Sequence, residues 1–396
     1  MVKSLVLALH RWLGLTIALA LIVTGLTGAV LPYQREIGHW LAPEVWKVQA
    51  PHPGAVPLSG LALARRVEAE TGGSVSYVPL SPAPDRAQAI YVSPRPGGPP
   101  VEREVVFANP YTGDITAQVR FADLRDGAVN VMPFILLFHY SLAAGEWGRR
   151  ILGIAALLWA GVALAGLLLT LRRRGAASAP RVRWWRGERS ARPRSLRSAT
   201  NMHVLHRRIG FWLWPLMLVF AWSAVAFNLD GVHRPVQRFL GAEGLYRPVD
   251  NPRPAAGTPM SPAQALAVGQ QLMMHEAERL GFTIKKPEAL TFDPFGGTIG
   301  YYALTSLDGP AGNGSTAVWF DQVSGRQLAF RAPFGDTAAD GLDKTFRMLH
   351  TAGMFGWPYR VIISLFGLLT AASAFFGVAI WLRKPMIRRV FAGRSR

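Results

Sequence analysis

The sequence predicts a membrane α-helical protein in which four transmembrane helices form two repeats and carry two periplasmic α+β modules. Three observations predict it: four uncharged runs of spanning length, arginine concentrated on one side of those runs, and a histidine pattern that occurs twice. A hydrocarbon core of roughly 30 Å takes about 20 helical residues. Residues 12–31, 151–171, 209–229 and 361–382 are each that long and free of charge. A fifth uncharged block, 128–145, contains Asn130, Pro133 and His139. It is expected to be an interfacial helix that leads into the second span.

The arginines set the orientation, because positive charge near span ends stays on the cytoplasmic side. The segment after the second span has ten Arg against one Glu, and the tail after the fourth carries Arg383, Lys384, Arg388, Arg389, Arg394 and Arg396. Both are expected in the cytoplasm. The two long connections have mixed charge and are expected in the periplasm of a bacterial inner membrane. The first run is too long for a cleaved signal and lacks a clear A-x-A cleavage site, so it is expected to remain as an anchor. The net charge of +19, from 43 Lys and Arg against 24 Asp and Glu, then follows from orientation and anionic lipid contact. No folded basic module stands outside the spans, so no nucleic-acid partner is expected.

Among the 396 residues there is no cysteine. That excludes thiolate zinc, iron-sulfur clusters, disulfides, a cysteine nucleophile and covalently attached c-type haem. His275-Glu276 lacks the second histidine of a zincin, and the sequence has no G-x-S-x-G elbow, P-loop or G-x-G-x-x-G fingerprint. Hydrolase and ATPase readings fail, and reducing equivalents would have to come from outside the chain. The run 309–314, rich in glycine, is expected to be a hairpin loop. None of the four spans holds a mid-span carboxylate, which argues against a cation transporter.

The chain repeats itself. His10-Arg11 and Gly14 open the first span, and His206-Arg207 and Gly210 open the third at the same offsets. His139, Gly145 and Arg149 precede the second span as His350, Gly356 and Arg360 precede the fourth. The connections match as well. Ser59 and Ser261 each stand as N-cap before a helix-like run, the second with proline at its first position. Strands follow in both, turning at Asn109-Pro110-Tyr111-Thr112-Gly113 and at Asp321-Gln322-Val323-Ser324-Gly325. Each half is therefore one span, one module and one span. The boundaries are a first transmembrane helix at 1–34, a module at 35–128, interfacial helix and second transmembrane helix at 129–172, and an Arg-rich cytoplasmic linker at 173–200. The second half has its transmembrane helix at 201–230, a module at 231–343, interfacial segment and last transmembrane helix at 344–384, and a cytoplasmic tail at 385–396.

Four of the nine histidines occupy the repeated positions. His10 and His206 fall at the cytoplasmic ends of their spans, His139 and His350 at the periplasmic entrances to theirs. An ionisable side chain beside the hydrocarbon is costly unless it is used or paired, so these residues are expected to function as facing pairs. Two imidazoles without thiolate or carboxylate support suit the axial positions of b-type haem better than structural zinc. Gly14, Gly25, Gly28, Ala160, Gly161, Gly166, Gly367 and Gly377 offer places where helices can part around a flat ring. Arg11 and Arg207 on one side, and Arg149 and Arg360 on the other, stand next to the pairs and could meet haem propionates. His203, one helical turn before His206, competes with it for the cytoplasmic pair. His39, His52, His233 and His275 are expected to be surface or module residues, and Met273 and Met274 module core.

These motifs make the chain similar to the PepSY-associated transmembrane family, iron-regulated inner-membrane proteins that include ferric-siderophore reductases. The likeness rests on LHRWLG with Thr24-Gly25 and Thr27-Gly28, on HRRIG, on His139 and His350 with their following Gly and Arg, and on the NPYTG and DQVSG turns. It implies PepSY-like modules and two haem b groups, with His10 and His206 ligating an inner haem and His139 and His350 an outer one. Electrons would enter from an external donor, a quinol or a cytoplasmic reductase, and leave to a periplasmic ferric siderophore. Arg208 stands where Trp12 stands in the first half, so the two inner sites are not identical. A second reading, a PepSY membrane protein that binds or regulates a periplasmic partner without catalysis, makes the same histidines interfacial anchors.

Overall fold

A computed structural model describes residues 2–95, 97–171, 199–242, 249, 251, 253, 255–293, 296–308 and 316–383. The expected tail 385–396 and the run 309–314 lie outside the described residues, as does the expected linker 173–200 apart from its last two positions. The helices in chain order are α1 (Val2–Val30), α2 (Gln34–Leu41), α3 (Pro43–Trp46), α4 (Gly60–Thr71), α5 (Val131–Ser141), α6 (Gly145–Leu171), α7 (Ala199–Asn228), α8 (Asp230–Phe239), α9 (Pro262–Leu280), α10 (Ala338–His350) and α11 (Gly356–Leu382). The strands are β1 (Ser74–Val75), β2 (Tyr77–Pro79), β3 (Gln88–Ser93), β4 (Val105–Ala108), β5 (Ile115–Val119), β6 (Ile284–Asp293), β7 (Thr298–Thr305), β8 (Thr316–Asp321) and β9 (Gln327–Arg331). They belong to two compact units, one helical and one α+β.

The helical unit holds residues 1–32, 135–236 and 346–396. Four of its helices are long and apolar enough to cross a membrane: the run Val2–Leu41 that starts with α1, then Gly145–Leu171, Asn201–Asn228 and Gly356–Leu382. Each contains one of the expected spans or all but its last residue. The observed helices start earlier because the histidine and arginine turns before each apolar run are helical too. The fifth block forms a short apolar helix, Ala128–Ser141. In the bundle α1 packs on α11 and α6, and α7 on α6 and α11, so the four helices close a ring. The α1–α11 seam is tight at Gly25 and Gly367. A Cβ on Gly25 would stand 2.7 Å from the Gly367 carbonyl oxygen, and one on Gly367 2.6 Å from that of Gly25. Such contact between backbones is how helices associate when lipid is as apolar as their own surface.

The α+β unit holds residues 33–134 and 237–345. Its strands form two antiparallel sheets, ordered β1-β3-β4-β5 and β2-β6-β7-β8-β9. The expectation of two separate modules needs an amendment, because β2 leaves its own half and pairs with β6, Val78 opposite Leu290. One hydrophobic core then serves both halves: Leu63 and Val67 of α4, Val106 of β4, Met273 of α9, and Val318 and Phe320 of β8 are buried in it together. Every residue of β4 is buried. Its alternate side chains explain this, since Val106 and Ala108 enter the shared core while Val105 and Phe107 enter a second, smaller one.

The local signals are where the sequence puts them. Ser59 Oγ accepts from the Ala62 amide at 3.2 Å, and α4 ends at Gly72 in the left-handed conformation. At Ser261 the cap is reciprocal, because Gln264 Oε1 also accepts from the Ser261 amide at 2.8 Å. Asn109 Oδ1 accepts from the Tyr111 amide, and Asp321 Oδ1 from the Val323 and Ser324 amides, so both strand turns are closed by an Asx side chain. Met273 is core as expected, whereas Met274 is exposed. His52 and His275 are exposed, but His233 is buried in α8 beside Trp222, their rings 5.7 Å apart.

Candidate functional site

The helical unit gathers the four repeated histidines into two pairs. His10 of α1 and His206 of α7 have ring centroids 6.0 Å apart and planes inclined at 65°. His139 of α5 and His350 of α10 have centroids 6.3 Å apart and planes at 74°. His203, the rival for the first pair, is exposed one turn earlier on α7, so His206 is the residue brought against His10. The second pair meets α1 and α7 at Thr27 and Ser223. The rise of 1.5 Å per residue between His10 and Thr27 separates the two levels by roughly 25 Å along the helix.

Each imidazole is held through Nδ1. His10 Nδ1 donates to the Val162 carbonyl at 3.0 Å, and His206 Nδ1 to the Ser373 carbonyl at 2.9 Å, with Ser373 Oγ at 3.2 Å. A carbonyl can only accept, so in both rings Nδ1 carries the proton. At the other level hydroxyls stand at Nδ1 beside the Thr24 and Phe220 carbonyls. Thr27 Oγ1 donates its hydrogen to the Val23 carbonyl at 2.8 Å, and Ser223 Oγ donates to the Val219 carbonyl at 2.8 Å. Their lone pairs therefore accept from His139 Nδ1 at 2.9 Å and from His350 Nδ1 at 2.7 Å. All four rings are fixed as the tautomer whose Nε2 keeps its lone pair. That is the orientation in which histidine serves as a metal ligand, its other nitrogen held by an outer hydrogen bond.

Small residues make the room. A Cβ on Gly166 would come within 3.0 Å of His10 Cε1, a Cβ on Gly28 within 3.0 Å of His139 Cε1, and one on Gly377 within 3.6 Å of His206 Cε1. Other glycines of the expected slot serve elsewhere: Gly25 and Gly367 face each other, and Gly161 meets nothing within 4 Å. The arginines also divide. Arg11 carries its guanidinium over Trp12 at 5.0 Å, and its Nε is buried without a hydrogen-bond partner among the described residues. Arg149 donates to Glu146 and to the Phe227 carbonyl at 3.0 Å, which ties α6 to the end of α7. Arg207 follows His206 on α7, and Arg360 lies in the first turns of α11.

Thr27, Ser223, Val162 and Ser373 are functional neighbours that the histidine pattern alone does not reveal. A signal was present all the same. Thr27 stands as far from His10 as Ser223 does from His206, and Val162 and Gly166 stand from His139 as Ser373 and Gly377 do from His350. The contacts of the two halves thus fall at matching offsets.

A donor set of two facing imidazoles has a definite chemistry. With metal–nitrogen bonds of about 2 Å and about 1 Å more from each nitrogen to its ring centre, ring centroids about 6 Å apart would leave room for one ion that both imidazoles could hold. Both pairs have that separation. Among the described residues no three His, Asp or Glu side chains cluster. The residues fit an iron whose remaining positions are filled by a macrocycle, and the unpartnered Nε of Arg11 suits an anionic group beside the first pair. A family model described as the PepSY-associated TM region matches residues 7–384. No curated protein matches the chain.

Proposed function

Since the chain belongs to the PepSY-associated transmembrane family, we propose that it is a multi-pass inner-membrane reductase that carries two haem b groups and passes electrons outward to a periplasmic ferric siderophore or similar Fe(III) chelate. The observation that carries this reading is the pair of matched imidazole couples, about 6 Å apart and all four held through Nδ1. His10 and His206 form the cytoplasmic couple, and His139 and His350 the periplasmic one. The two halves are then a repeat, and the α+β unit lies in the periplasm. Both termini and the arginine-rich linker are cytoplasmic.

Bound haem would supply one-electron chemistry at each level; the chain binds it, orients it and tunes it. The Val162 and Ser373 carbonyls and the Thr27 and Ser223 hydroxyls keep each Nε2 free of its proton and each ring at a fixed angle. Arg11 offers a buried donor to a propionate. With no dinucleotide fingerprint in the sequence, electrons arrive from an external quinol or cytoplasmic reductase. Lowering the charge of iron in an oxygen-rich chelate weakens its bonds to hard ligands, which is how reduction would free the metal.

A reduced-minus-oxidised visible spectrum of the full chain, purified after expression with ample haem, tests the reading. A b-type band with close to two haems per chain is expected. A colourless protein under those conditions would end it, and copurification of a periplasmic protein with that colourless chain would favour the binding role instead.

A further inference from the structure

The couple formed by His139 and His350 is not symmetric in its surroundings. His350 lies stacked on Phe220, with centroids 4.6 Å apart and planes at 26°, and Phe227 meets its edge at 5.5 Å and 85°. Its Nδ1 donates to Ser223 Oγ, and Ser223 is fully buried and bonded in turn to its own helix. The end of α10 is fastened as well. Arg347, one turn before His350, donates to the Ala226 carbonyl at 3.1 Å and covers the Phe227 ring at 4.8 Å, while Tyr359 Oη donates to the Leu349 carbonyl at 3.0 Å. The ring, its hydrogen bond and its backbone are all held by α7 and α11.

His139 has the same hydrogen bond, to Thr27, but a different wall. At the offsets of Phe220 and Phe227, which meet His350, the first half has Thr24 in α1 and Leu31 just past its end, and neither is aromatic. Gly28 lies against the imidazole edge with no side chain of its own. Among the described residues the ring that meets His139 is that of His350 alone, so the Phe220 stack has no counterpart on its side. An aromatic ring stacked on an imidazole holds it beyond what burial alone does, so the two otherwise matched rings are not held equally.

We propose that His350 is the anchoring ligand of this couple and His139 the exchangeable one, so that an added ligand can take the coordination position on the His139 side. The inference rests on the haem reading above and concerns only how two residues of this chain hold the group. No bond other than the His139 Nε2–iron bond is broken, and the incoming ligand forms the one that replaces it.

The test compares His139→Ala and His350→Ala in the full chain, reading haem per protein and spin state. His139→Ala is expected to keep both haems, one of them high-spin and able to bind carbon monoxide after reduction, whereas His350→Ala loses one of the two. Equal retention, equal loss or the reverse order would overturn the assignment while leaving the haem reading intact. A wild-type chain without haem would overturn both. Should both alanine variants fail to fold, Phe220→Leu and Thr24→Leu decide the matter through the rate at which haem passes to an apo-globin acceptor. Several-fold faster loss for Phe220→Leu alone supports the anchor, and equal or slower loss refutes it.

Discussion

The His10–His206 and His139–His350 couples share one plan and differ in what accepts from Nδ1. For the first the acceptors are backbone carbonyls of α6 and α11, with the Ser373 hydroxyl beside one of them; for the second, side-chain hydroxyls of α1 and α7 join the Thr24 and Phe220 carbonyls. The difference has a consequence for how each can be changed. A carbonyl inside a helix is present whatever residue bears it, so the first couple tolerates substitution at its acceptors. The second draws part of its support from Thr27 and Ser223 as residue types. The carbonyls that hold the first couple are also not the ones freed at a helix end, so each accepts twice, as its two lone pairs allow.

The comparison can be broken most severely at the ligands. Replacing His10 or His206 by alanine is expected to remove one haem and leave the one at His139 and His350 with its spectrum unchanged, measured by pyridine haemochrome; loss of both would show that the couples are not independent. A step below this are the glycines. Gly166→Val and Gly28→Val place carbon where each ring edge already lies within 3.0 Å of a Cβ; Gly166→Val should empty the His10–His206 couple only, and Gly28→Val should displace His139 and leave its haem high-spin. Gly377→Ala has more room, 3.6 Å, and should be milder.

The acceptors sharpen the contrast. Thr27→Val together with Ser223→Ala should weaken haem retention in the His139–His350 couple by about 10–100-fold, the usual effect of removing an outer hydrogen-bond partner of a ligand. Ser373→Ala leaves its carbonyl in place and should change retention by less than about tenfold; an equal loss from both lesions would contradict the carbonyl–hydroxyl distinction.

The smallest effect expected separates the α+β unit from the helices. Burial pushes the Asp321 carboxyl up, but bonds from the Ser324, Ala255 and Val323 amides and the Asn251 side chain outweigh it and hold the group well below the usual carboxylate range. A depressed carboxylate stabilises the fold above its unfolded value of about 3.9, and that contribution is lost as pH falls below it. Asp321→Asn should therefore lower the denaturation midpoint of the α+β unit near pH 7, with the gap to wild type closing below about pH 4. A gap that persists in acid would mean that the side chain acts by shape and not by charge.

Much of the bundle was legible in the sequence because its signals are one-dimensional. Length and absence of charge mark the spans, and four histidines at repeated offsets mark the site. The turns at Asn109 and Asp321 and the serine caps are equally local. His233 shows the limit, since its position outside the repeat predicted a surface or module residue and the structure buries it in α8. The early helix starts show another, because polar first turns carry no hydropathy signal.

The sequence by itself determined which residues form pairs, since the offsets that relate the halves are written in the order of residues. Tertiary structure decided what holds them. Whether a histidine ring meets a carbonyl, a hydroxyl or an aromatic face depends on which turn of a neighbouring helix passes it, and that is set by close approaches such as Gly25 to Gly367. The same holds for β2, whose three residues carry no mark of the partner they choose, because strand pairing is fixed by the core both halves must share.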